Sequence, residues 1–182
     1  YVNTDSSAGF FTNFSGDLYH LSIINSYIKG KSNVGGMFSS VSKVGGEIEY
    51  AYFDGAVVGN SYVGGLIGSA NCTYAKNCGN YGDVWGTGSY VAGFSGSFSS
   101  YGIYDCFNNG NVYSTGDYVS GITGSISNYT VSNCINRGNI TGKNYVSGIV
   151  SSTRYSHVSS CGNLGNITGE KYVGGICAYN GE

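Results

Sequence analysis

The sequence predicts an all-β protein, a parallel β-solenoid (β-helix) of about 27–29 residues per coil, with six full coils plus a partial seventh. Three observations predict it. A small-Gly-apolar signal recurs at a nearly constant interval. Glycine divides the chain into segments of four to seven residues, rich in β-branched and aromatic side chains. Within each interval, matching positions hold the same kind of residue.

The signal reads SAGF from residue 7, VGGM from 34, VGGL from 63, VAGF from 91, VSGI from 119, VSGI from 146 and VGGI from 173, in steps of 27, 29, 28, 28, 27 and 27. A fixed period of this size marks a repeat architecture. Helical repeats do not fit, because a helix needs long glycine-poor stretches with apolar residues at 3.6-residue spacing. Here there are 32 glycines and no proline, and the segments between glycines have strand length and strand composition. Each interval reads as three short strands and three Gly- or Asn-bearing corners. A single coil cannot bury its apolar side alone, so a copy must lie above it at about 4.8 Å. Seven levels would rise roughly 30 Å, right-handed by the general crossover preference.

Length predicts one domain over 1–182, with divergent N-terminal coils over 1–61 and regular coils over 62–182. The chain begins at Tyr1 and halts early in a seventh coil. That reads as a processed chain or a segment of a longer protein, or as a subunit that stacks head to tail into a filament.

The vertical ladders follow from the period. The anchor Val and the apolar residue three later (Met37, Leu66, Phe94, Ile122, Ile149, Ile176) should point inward. The glycine between them (Gly36, Gly65, Gly93, Gly121, Gly148, Gly175) should absorb the break in alternation through a bulge or a left-handed φ. Cys78, Cys106, Cys134 and Cys161 share one position, where the first two units have Ser22 and Ala51. Buried Cys behaves as a small apolar residue. In-register partners near 4.8 Å exceed the ~3.8 Å Cβ separation a disulfide prefers, so a column of free thiols is expected. The alternatives are disulfides, either Cys72–Cys78 or a pair within the column, and metal binding, for which the CTYAKNC spacing is too long for a zinc knuckle. Two residues on, Asn80, Asn108, Asn136 and Asn163 form a second ladder whose amides can hydrogen-bond along the axis.

One outward ladder can carry chemistry. Tyr62, Tyr90, Tyr118, Tyr145 and Tyr172 precede the inward Val in five coils. They serve either as a self-stacked column that stabilises the rod or as an adhesive strip that stacks on sugar rings or a partner protein. Charged residues are 10% of the chain, the net charge is −2 and the basic residues are scattered. That gives no case for nucleic acid or an anionic membrane. No apolar run approaches the ~20 residues of a spanning helix, so membrane insertion is not expected. No catalytic set, metal motif or cofactor motif is present: carboxylates cluster only at Glu47, Glu49 and Asp54, and His20 and His157 lie in separate coils, read as solvated or structural. Asn13, Asn71, Asn128, Asn139 and Asn166 begin N-x-[ST] sequons, which in a eukaryotic secreted chain would accept glycans. The repeat itself accounts for NIT at both 139 and 166.

The stretch YVGGLIGS at 62–69, followed by NCGNYGDVWG, resembles the GLUG motif, a short bacterial repeat. Its core reads GLIG at 65–68, GFSG at 93–96, GITG at 121–124, GIVS at 148–151 and GICA at 175–178. The similarity covers 62–178 and, more loosely, 7–61; the last two cores lose the final Gly. The resemblance implies an extracellular or cell-surface location, as in bacterial adhesins and some cell-surface peptidases, and carries over no catalytic residues. The expectation is a non-catalytic extracellular structural or adhesive repeat domain, a rigid spacer or filament element. Its partners would be neighbouring repeats, a second copy, or a glycan or host-surface ligand. The alternative is a carbohydrate-binding or carbohydrate-cleaving β-helix.

Overall fold

The computed structural model describes residues 1–71, 73–99 and 101–181, with backbone alone at 73. The described residues contain strands and turns but no helix. The chain winds as a parallel β-solenoid, and its strands stack into sheets of 15, 6 and 7 strands. Every pairing in the three sheets is parallel, and equivalent positions of successive coils face each other. Val34, Val63, Val91, Val119, Val146 and Val173 are consecutive register partners in the six-stranded sheet. In the first coil Ala8, rather than the Ser7 that opens the repeat signal, opposes Val34.

Each regular coil carries five short strands rather than three. In the coil that opens the regular region they are Ser61–Gly64, Ile67–Asn71, Thr73–Lys76, Gly79–Asn80 and Asp83–Gly86. In this coil the extra divisions fall inside the large sheet, at 77–78 and 81–82. His20, Tyr50, Asn77, Asp105, Asn133 and Ser160, each just before the cysteine position, hold φ between 52 and 56°. The divergent coils cross this region in single long strands, Leu18–Lys29 and Gly46–Gly59. Their register slips between Ile23 and Ser26, where Asn25 adopts φ 52°.

The core is one apolar column along the axis. A regular coil contributes Val119, Ile122, Ile126, Val131, Cys134 and Ile140, all buried. Each of these side chains contributes roughly 1.5–3 kcal/mol on full burial, provided another coil roofs it. Where none does, the same positions open: Val173 is 47% and Ile176 38% exposed, against 0% for Val146 and Ile149.

The glycine after the anchor corrects one expectation. None of Gly36, Gly65, Gly93, Gly121 and Gly148 has a left-handed φ. The left-handed turn falls three residues earlier, on Asn33 before Gly36 and on tyrosine in the other four coils. These glycines are required by space instead. A Cβ on Gly93 would land on the Asn108 amide, and one on Gly121 on the Gly148 carbonyl and Asn136, all at under 3.0 Å. The coil is so flat here that the inner asparagine of the far wall lies against the glycine backbone.

Candidate functional site

The tyrosine column is the most regular surface feature. Tyr62, Tyr90, Tyr118, Tyr145 and Tyr172 have φ of 55, 63, 60, 54 and 55°. A left-handed conformation costs a non-glycine residue roughly 1–2 kcal/mol. It also ejects each side chain in the same direction, so the rings lie over one another. Successive centroids are 5.1, 4.9, 4.7 and 4.6 Å apart, with planes within 10° of parallel. Aromatic pairs contribute about 0.5–1.5 kcal/mol beyond area burial, so stacking offsets the backbone cost that places the rings. Asn33 occupies the same corner one coil earlier, at φ 50°. Asparagine tolerates that region, and Asn33 is the one residue in the sequence that could have marked this corner as left-handed.

A row of small hydroxyls borders the column. Ser40, Ser69 and Ser97 are register partners along the seven-stranded sheet. Ser125 donates to Ser97 at 3.2 Å and pairs with Ser152. Tyr179 continues the row opposite Ser152, and its ring meets Tyr145 edge-on at 5.9 Å. The middle tyrosines are half-buried, while Tyr62 and Tyr172 at the two ends are exposed. The result is a flat strip, aromatic on one side and hydroxylated on the other.

Beneath the surface the asparagines form a continuous amide ladder. Asn80 donates to Asn108 at 2.8 Å, Asn108 to Asn136 at 2.8 Å, and Asn136 to Asn163 at 2.7 Å. The second hydrogen of each amide bonds the carbonyl of Gly82, Gly110, Gly138 or Gly165. Phe53 takes the slot below Asn80. Cys78, Cys106, Cys134, Cys161 and Cys177 are free thiols. Cys106 donates to the Tyr104 carbonyl at 3.1 Å, and Cys78 to the Lys76 carbonyl at 3.1 Å. Burial pushes the Cys106 thiol up, and its contacts with the Cys134 and Cys78 thiols add to this. Cys72, and with it the Cys72–Cys78 pairing, lies outside the described residues.

The five sequon asparagines are all exposed. Asn139 and Asn166 also serve a second, external ladder. The side-chain oxygen of Asp83 accepts from the Asn111 backbone N–H at 2.7 Å, Asn111 from Asn139 at 3.0 Å, and Asn139 from Asn166 at 3.0 Å. This ladder accounts for the repeated NIT without any glycan. A further outward row, Val58, Trp85, Tyr113, Thr141 and Thr168, is in register, with Trp85 and Tyr113 exposed. Its aromatic pair went unnoticed in the sequence because only two coils carry it.

The carboxylate cluster divides. Asp54 lies beside Tyr52 and Tyr81 in a shallow recess of about 300 Å³. Glu47 accepts hydrogen bonds from the hydroxyls of Tyr19 and Tyr74, on the coils to either side. Asp17 pairs with Lys43. His20 stacks on Tyr50 at 4.6 Å, and His157 is exposed on the outer face. Among the described residues no three His, Cys, Asp or Glu side chains are placed to hold a metal.

The phenols give a pH prediction. Burial raises Tyr90 and Tyr118 above the ordinary value, with neighbouring rings of the column adding to it. The Glu47 hydrogen bond pushes Tyr19 up to about 12. A raised pKa means the fold favours the neutral phenol. That stability is complete below the unfolded value of about 10 and is lost as pH rises through the folded values. Urea midpoints should stay level up to about pH 9 and fall above about pH 10, together with late-rising phenolate absorbance. Phenols that all titrate at the ordinary value with no loss of stability would contradict this.

No protein-family model matches the chain, and no curated protein is similar to it. Among solved structures, it is similar to a Bacteroides ovatus protein provisionally named an immunoglobulin A1 protease. The TM-score is 0.75 at 19% identity, over 96% of this chain and 65% of that one. At that identity the likeness shows the β-helix fold alone.

Proposed function

We propose that this chain is a non-catalytic structural and adhesive repeat at the cell surface, of the GLUG-repeat kind. In this reading it is a rigid spacer that presents the tyrosine strip to a ligand. The observation that carries it is the investment in the strip: five tyrosines hold a left-handed backbone in consecutive coils and stack within 5.1 Å. Aromatic bodies with polar tips suit an interface that must also stay wet. The residues repeated in every regular coil are those that build the rod. An uncovered coil edge is a surface with which neighbouring repeats or a second copy can pair.

The test is a glycan array probed with the chain and with a Tyr118→Ser/Tyr145→Ser variant. The expected result is saturable binding that the variant loses while its circular dichroism is kept. Unchanged binding with a lower melting temperature would reduce the column to a stabilising device and overturn the adhesive part. Sedimentation across a range of concentrations tests the edge: growing rods support self-association, and a constant monomer removes it.

A further inference from the structure

An open groove of about 550 Å³ lies on the outer face of the large sheet, lined by Glu49, Tyr74, Lys76, Tyr101, Tyr104 and Asp105. Its size is within the ~300–1,000 Å³ of small-molecule sites. Between its walls Gly102 stands opposite Tyr74 in register. The Tyr104 ring folds over that glycine, where an added Cβ would strike it, and its hydroxyl donates to the Tyr101 carbonyl at 3.1 Å. On the other wall Tyr74 is fixed by its hydrogen bond to Glu47. Two of the aromatic walls are thus held in place before any ligand arrives.

The polar groups in the groove are, by contrast, unspent. Glu49 and Lys76 are direct register partners of opposite charge. Yet among the described residues neither side chain makes an ion pair or a hydrogen bond. Asp105 uses one carboxylate oxygen on the Asn133 amide at 3.0 Å and keeps the other. The groove therefore offers aromatic faces, carboxylate acceptors and an ammonium donor.

We infer that this groove is a binding site for a neutral sugar ring, a hexopyranose of a larger glycan. The C–H face of a pyranose packs on tyrosine, and its hydroxyls both donate to carboxylates and accept from an ammonium. A cationic ligand would meet Lys76. A uronic or sialic acid would meet Glu49 and Asp105, whose charges outnumber that of the lysine. The site goes beyond the adhesive strip, since it lies on a different sheet and shares no residue with the tyrosine column.

The experiment is an amide-resonance NMR titration of the whole chain with methyl glycosides of glucose, galactose, mannose and N-acetylglucosamine. Choline and glucuronate serve as charged comparators. At least one neutral glycoside should give saturable shifts at residues 49, 74–76 and 101–105. Tyr101→Ala, at an exposed position, should weaken that binding about tenfold and Glu49→Gln severalfold, with spectra otherwise unchanged. Absence of saturable groove shifts with every neutral glycoside would overturn the inference. So would tighter binding of either charged comparator, or a Tyr101→Ala variant that binds as well as the parent. Shifts confined to residues around Tyr118 and Tyr145 would also overturn it while leaving the adhesive strip intact; groove binding that survives Tyr118→Ser/Tyr145→Ser shows the converse.

Discussion

Replacing Asn108 with Ala is expected to destabilise the protein by about 3–5 kcal/mol. The Asn108 side chain is fully buried. It donates to the Asn136 oxygen at 2.8 Å and the Gly110 carbonyl at 2.7 Å, and it accepts from Asn80 at 2.8 Å. Alanine leaves a cavity and strips buried acceptors of their donors on two coils. Asn108→Asp should be no better, because a carboxylate cannot donate to either acceptor and would bring a charge into the core. Asn163→Ala should cost clearly less, since Asn163 is half-buried and has no asparagine above it in this chain. Urea unfolding followed by circular dichroism measures all three. An Asn108→Ala cost below about 1 kcal/mol would mean that the ladder contributes no more than ordinary solvent-exchangeable hydrogen bonds.

The second large effect compares one repeat position in two coils. Gly121→Ala should cost about 3 kcal/mol or more, because the new methyl would meet the Gly148 carbonyl and the Asn136 side chain at under 3.0 Å. Neither neighbour can retreat: one is backbone in a sheet and the other is fixed in the amide ladder. Gly175 holds the same place in the last coil, and an added Cβ there meets nothing within 4 Å. Gly175→Ala in the 182-residue chain should therefore stay within about 0.5 kcal/mol of the parent. If the two substitutions cost the same, the glycine would be serving backbone freedom rather than the close approach of stacked coils. Because a solenoid frays coil by coil, the unfolding should be read with probes at both ends.

Much of the fold is legible in the sequence because stacking turns each structural need into a period. Val91 and Val119 are neighbours in space for the same reason that they are 28 residues apart in the chain. The cysteine and asparagine ladders follow from the same count. The corners are less legible. A left-handed turn is normally signalled by glycine, asparagine or aspartate. Here the protein places tyrosine there and gains ring stacking in return, while the nearby glycine serves packing. The repeat alone could not separate these roles, because glycine is permitted by both. The groove was hidden for the opposite reason. It depends on Tyr104, which breaks the repeat and folds over Gly102, on Tyr101, which recurs as Tyr129 one coil on, and on Glu49 and Lys76, which lie 27 residues apart on adjacent coils. A search for periodicity discards such positions as noise, yet a uniform rod acquires an individual site only where its repeat is broken.

The structure also ties the surface to the interior. The tyrosine column and the asparagine ladder run along the same axis with the same spacing, so a change in coil height anywhere would disturb both. An adhesive strip on such a rod is held rigid by the core and loses little entropy when it binds.

The most direct test of the whole account is a nuclear Overhauser experiment on the asparagine side chains and core valines. Coils stacked in register predict cross-peaks between the side-chain amides of Asn80, Asn108, Asn136 and Asn163 in turn, and between the methyls of Val91, Val119 and Val146. Valine methyls in contact only with residues near them in sequence, and asparagine amides exchanging freely with water, would contradict it.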